Sequence, residues 1–168
     1  MLLAALVAAL YANACTGSFQ FDDFNVIVEQ PAVHTYTAWA AALPGIRPLL
    51  KASYLLNWTL DPGPLGFHLV NVAIHAGNSV LAYLLLRRFQ ARAGAPAATA
   101  FLAALIFAVH PLQTEAVAYV CGRSTSLMAL FYLGGVLAYV RGRETGSRGR
   151  HHRDRAGEQG TDLGLSAE

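Results

Sequence analysis

The chain has 168 residues, of which 55% are hydrophobic and only 13% charged, with a formal net charge of +2. Ordinary soluble domains carry about 25% charged residues, so this composition excludes a typical soluble globular protein. The apolar residues gather into blocks at 1–14, 65–86, 96–109 and 124–140, the pattern of a polytopic membrane protein.

In chain order, the block 1–14 is short for a 30 Å hydrocarbon core, and no basic residue precedes it. It is followed by Phe21-Asp22-Asp23-Phe24, two adjacent carboxylates boxed by aromatics. Acids so close to hydrocarbon are costly. They read either as a solvated turn ending the first helix, or as a surface site that binds a cation or handles a proton. The segment 15–64 is too long for a simple connection and too apolar for disorder. It predicts short interfacial helices over 36–43, ended by Pro44-Gly45, and from Pro48 onward, with Asp61-Pro62-Gly63-Pro64 as the turn back into the membrane.

The block 65–86 contains no Asp, Glu, Lys or Arg, and its 22 residues would span about 33 Å as a helix. Within it His68, Asn71, His75 and Asn78 recur at steps of three, four and three, so they form one polar stripe. Polar groups inside a bilayer face a protein interior or a wet cavity, or serve as hydrogen-bonding glue between helices. Glue suits Asn78, whereas His68, near the outer surface, is a candidate for lining a site. The segment 110–123 opens at His110-Pro111 and closes at Gly122-Arg123, with Ser124 placed to cap the next span. His110 and Glu115 would project to the outer surface, where Arg123 would hold a phosphate or pair with Glu115. Cys15 and Cys121 are too few to define a disulfide framework.

Charge sets the topology. Arg87, Arg88 and Arg92 lie between the second and third blocks, and six further arginines follow the fourth. Only Arg47, Lys51 and Arg123 fall on the opposite side. The positive-inside bias then predicts four membrane helices with both termini cytoplasmic, outer loops at 15–64 and 110–123, and a basic, disordered tail over 141–168. Two separate polar segments converge on the outer face.

These residues resemble a family. Tyr11-Ala12-Asn13, Phe21-Asp22-Asp23, Arg47-Pro48-Leu49, Phe67-His68-Leu69-Val70-Asn71, His75-Ala76, His110-Pro111, Thr114-Glu115-Ala116-Val117 and Gly122-Arg123 occur in the order seen in the TMTC transmembrane and tetratricopeptide-repeat proteins. Those proteins resemble protein O-mannosyltransferases of the GT-C superfamily. The resemblance implies an all-α membrane protein like the N-terminal part of a GT-C fold. The activity implied is transfer of a sugar from a polyprenyl-phosphate donor to an acceptor hydroxyl on a protein or glycan. Such a protein sits in membrane lipid, in the bacterial inner membrane or, in a eukaryote, the endoplasmic reticulum, with no nucleic-acid partner. The catalytic role would fall to Asp22 or Asp23, acting as base or as ligand of a divalent cation. Arg47, His68, His110, Glu115 and Arg123 would line the substrate site, the two arginines offsetting phosphate charge. Family members carry more spans and then helical repeats of about 34 residues. The chain is therefore expected to be an N-terminal fragment, inactive alone. The alternative is a non-catalytic membrane scaffold or assembly subunit.

Overall fold

The structure, a computed structural model, describes residues 2–162. It is helical throughout: α1 (Leu2–Leu10), α2 (Tyr36–Ala41), α3 (Pro48–Leu60), α4 (Pro64–Ala93), α5 (Ala97–Val109), α6 (Gln113–Ala118) and α7 (Arg123–Asp162), joined by short 3-10 and π turns. The chain divides into two compact units, 1–133 and 134–168. The first holds the core and the site. The second continues α7, which runs to Asp162 through part of the expected tail over 141–168. Residues 163–168 of that expected tail lie outside the described residues.

Two helices are long and apolar enough to cross a membrane, α4 and the stretch Val120–Thr145 that contains the start of α7. The 13 residues of α5 reach only about 20 Å at 1.5 Å per residue. The nine of α1 reach about 14 Å.

Local sequence explains where α4 begins and ends. Asp61 Oδ1 accepts the Gly63 N–H at 2.8 Å, closing a turn, and Pro64 takes the first helical position, where its missing N–H costs nothing. At the other end Gly94 adopts φ 66°, the left-handed cap that glycine tolerates best. Against α4 pack α1 and α5. Ala100, Ala104 and Ala108 recur every fourth residue and are all buried, a small-residue face that lets helix backbones approach closely. Leu3, Val7 and Tyr11 supply the opposing apolar groups, joined by Val72 and Val117.

The segment 15–64 folds into short helices and turns. A second core gathers Ile27, Val33, Tyr54, Phe67 and Val120, with Phe19, Leu50 and Trp58 packed around it. Each such buried side chain contributes about 2 kcal/mol. Thr35 caps α2 by accepting the Ala38 N–H at 3.3 Å. Trp39 Nε1 donates to the Pro48 carbonyl at 3.1 Å, fixing α2 to the start of α3. The His34 ring stacks on Trp58 at 3.9 Å. The segment 15–64 is thus ordered by contacts of its own.

Candidate functional site

The two adjacent acids part company. Asp23 is 1% exposed. Its Oδ2 accepts the Gln20 N–H and its Oδ1 accepts the Cys121 N–H, each at 2.9 Å. One carboxylate therefore clasps the segment 15–64 to the segment 110–123 across 98 residues of sequence. Asp22 is exposed. Its carboxylate has no hydrogen-bond partner among the described residues, while its N–H donates to the Tyr119 hydroxyl at 3.1 Å. Just before it Phe21 holds φ 46° with its ring 82% exposed. A left-handed aromatic costs about 1–3 kcal/mol, and no burial of its own ring offsets that cost. A π turn, Phe24–Val28, follows at once. Strain and π turns both concentrate at functional positions.

Arg123 is not at the surface. It is fully buried, and its donors fan inward: Nε to Asn71 Oδ1 at 2.7 Å, Nη1 to the Ser53 carbonyl at 3.1 Å, and Nη2 to the Phe67 carbonyl at 3.0 Å. The guanidinium also lies over the rings of Tyr54 and Phe67, at 4.7 and 5.3 Å. This cation pins α3, α4 and α7 together, and Glu115 is not among its partners. Tyr54, whose phenol burial raises well above its ordinary pKa, stays a neutral donor and reaches the Val120 carbonyl at 3.4 Å.

The polar stripe of α4 is wholly buried. Asn71 Nδ2 donates to the carbonyls of Val117, Tyr119 and Val120. His75 Nε2 meets the Ala108 carbonyl at 3.0 Å, and Asn78 Nδ2 the Ser126 carbonyl at 2.9 Å. These three residues are glue. His68, 2% exposed, packs its Nε2 against the backbone of Gly17. It lines a cavity of about 470 Å³ whose wall also includes Asp23, Gln20, Thr114, Glu115 and Tyr119.

The structure thus brings Asp23, His68 and Glu115 to one cavity, with Asp22 tied to its wall through Tyr119. It does not bring in Arg47, which is exposed with φ 59° before Pro48. Nor does it bring in His110, whose Nδ1 accepts the Leu112 N–H at 3.2 Å. Cys15 and Cys121 are both free. Sequence reasoning missed Tyr119 as a partner of the acid loop and Ser53 as a partner of Arg123. Neither leaves a spacing signal, because the partners lie 97 and 70 positions apart.

Gly122 closes the clasp at close quarters. A β-carbon there would meet the Glu115 carbonyl oxygen at 2.5 Å and the Ala116 Cα at 2.9 Å. Gly122→Ala should therefore push α6 away from the start of α7 and cost about 1–3 kcal/mol. Thermal unfolding in detergent would show this as a lower melting temperature, and an unchanged one would mean the approach is not tight.

No family model matches the sequence, and no solved structure matches it. Among characterised proteins, it is 34% identical over 182 aligned residues to protein O-mannosyl-transferase TMTC4 of Homo sapiens, covering 90% of this chain and 24% of that one. With protein O-mannosyl-transferase TMTC3 of Mus musculus the identity is 32% over 156 residues, covering 83% and 16%. Protein O-mannosyl-transferase F38B6.6 of Caenorhabditis elegans shares 30% over 160 residues, covering 86% and 23%. Over most of its length the chain is homologous to the TMTC protein O-mannosyl-transferases, and it spans a quarter or less of the length of these relatives.

Proposed function

We propose that this segment is the membrane portion of a GT-C-type glycosyltransferase that presents the reacting acid at the outer surface, with Asp22 as base and Asp23 as its anchor. The observation that carries the reading is the split between the two acids. Asp23 has both oxygens engaged by backbone amides, whereas Asp22 is exposed, free to accept a proton, and held beside a strained turn. In the transfer, Asp22 removes the proton of an acceptor hydroxyl as that oxygen bonds to the anomeric carbon. The bond from that carbon to the polyprenyl phosphate breaks, and the leaving phosphate keeps the electron pair. The homology supports a mannosyl group and a protein acceptor. Loss of transfer in Asp22→Asn tests the assignment, and retained transfer leaves the scaffold reading in its place.

A divalent cation does not fit the residues present. Both Asp23 oxygens already accept amides, and among the described residues no cluster of three or more His, Cys, Asp or Glu could hold a metal ion. No step is assigned to one.

The topology belongs to the same proposal: four membrane helices, with the short α1 and α5 crossing alongside α4 and α7, and both termini cytoplasmic. The basic loop after α4 supports it. A cysteine placed at Gly45 should react with an impermeant thiol reagent from outside intact cells, and one at Gly94 should not. Outside labelling of Gly94 would overturn this arrangement.

A further inference from the structure

We infer that Tyr119 is a positioning residue for the acid loop: its hydroxyl holds the turn at Phe21 and so sets the direction in which the Asp22 carboxylate points. This role rests on the reading of Asp22 as the base, and it names the side chain through which the helical core acts on that base.

The turn needs a restraint. Phe21 holds φ 46°, a region that disfavours every side chain and persists only where the surroundings over-determine it. The Phe21 ring is exposed, so the restraint comes from its neighbours in sequence. The Gln20 N–H donates to Asp23 Oδ2, and the Gln20 carbonyl accepts the Asp23 N–H, each at 2.9 Å. Those bonds close the ends of the turn and leave its middle free to rotate. Tyr119 reaches the middle, where the Asp22 N–H donates to its hydroxyl at 3.1 Å.

A tether holds only if its own base is fixed, and that of Tyr119 is. Its carbonyl accepts Asn71 Nδ2 at 3.1 Å and the Gly122 N–H at 3.0 Å, while its N–H donates to the Glu115 carbonyl at 3.3 Å. Asn71 Oδ1 in turn accepts Arg123 Nε at 2.7 Å. Hydrogen bonds thus run without a break from the buried Arg123 through Asn71 and Tyr119 to Asp22. The loop is also attached a second time to the same segment, through Asp23 Oδ1 and the Cys121 N–H. One attachment leaves a pivot, whereas two fix an orientation. Without the hydroxyl, Phe21 relaxes toward negative φ and carries the Asp22 carboxylate to a new direction while Asp23 stays in place.

The test uses the natural protein carrying this segment and the variant Tyr119→Phe, which keeps the ring and removes the hydroxyl alone. Hydrogen–deuterium exchange of peptides covering 19–24 should become at least about threefold faster, the loss of one hydrogen bond, with exchange in α4 unchanged. In a transfer assay kcat should fall about tenfold, because a small misplacement of a reacting group slows the reaction steeply, with KM nearly unaltered. Phe21→Gly added to Tyr119→Phe should recover part of that kcat, since glycine holds a positive φ without strain. In an Asp22→Asn background Tyr119→Phe should lower transfer no further. Unchanged exchange at 19–24 would overturn the inference. So would faster exchange throughout the chain, a raised KM at unaltered kcat, or no recovery with Phe21→Gly. Wild-type transfer by Asp22→Asn removes the base assignment, whereas the exchange rates decide by themselves whether Tyr119 holds the loop, so the two failures are distinguishable.

Discussion

Asp22→Asn is expected to lower glycosyl transfer at least 100-fold, about 2.7 kcal/mol in the barrier, while leaving folding and membrane insertion intact. The reason is local. The Asp22 carboxylate has no hydrogen-bond partner among the described residues, and its backbone N–H donates to the Tyr119 hydroxyl. Replacing an oxygen by NH₂ therefore removes a proton acceptor without removing a support. Asp23→Asn should behave in the opposite way. One of its two oxygens becomes an amide NH₂ facing the N–H of Gln20 or Cys121. A donor then meets a donor in a buried position, which costs about 1–3 kcal/mol. The expected pattern is an inactive, fully stable Asp22→Asn protein and a less stable Asp23→Asn protein. The assay uses the natural protein carrying this segment, polyprenyl-phosphate mannose and an acceptor peptide, with thermal unfolding in parallel. Wild-type transfer by Asp22→Asn would remove it from the chemistry.

The asymmetry of the acids was legible in the sequence only as an expectation that two neighbours cannot be equivalent. Which one anchors the loop was not legible, because the partner of Asp23 is a backbone N–H 98 residues away, and a backbone amide has no signature of residue type. The helices of the segment 15–64 were legible because their punctuation is local: Pro48 at a first helical position, Pro44-Gly45 after α2, and the turn of Asp61 before Pro64. The stripe of α4 was legible from its helical spacing, which sets a common face. Spacing could not separate Asn71 and His75, which bond to neighbouring helices, from His68, which packs on the acid loop at Gly17, since all share that face and all are buried. Arg123 illustrates the same limit. An arginine in a polar loop beside a glutamate reads as a surface cation, yet its partners are two carbonyls and an amide oxygen supplied by α3 and α4.

That buried arginine carries the largest expected effect on stability. Arg123→Met keeps an apolar stem of comparable length and removes the fork. Asn71 Oδ1 and the carbonyls of Ser53 and Phe67 then lose the donors they face. Hydrogen bonds to a charged group are worth about 1.5–3 kcal/mol each, and the two ring contacts of the guanidinium add about 1–2 kcal/mol when desolvated. Relief from burying a cation with no carboxylate partner among the described residues works in the other direction, by several kcal/mol. The hydrogen bonds win because three separate acceptors would be stranded, and the net loss is expected to be about 3 kcal/mol. Arg123→Lys should not rescue it, since one ammonium cannot span acceptors on two helices in the way a planar fork does. A double-mutant cycle tests the mechanism. If Arg123 acts through Asn71, then Arg123→Met combined with Asn71→Leu should cost less than the sum of the two single changes. Thermal unfolding of the purified protein in detergent gives all four corners. A melting temperature for Arg123→Met at or above that of the unaltered protein would show that desolvation dominates and that the arginine does not hold α3, α4 and α7 together.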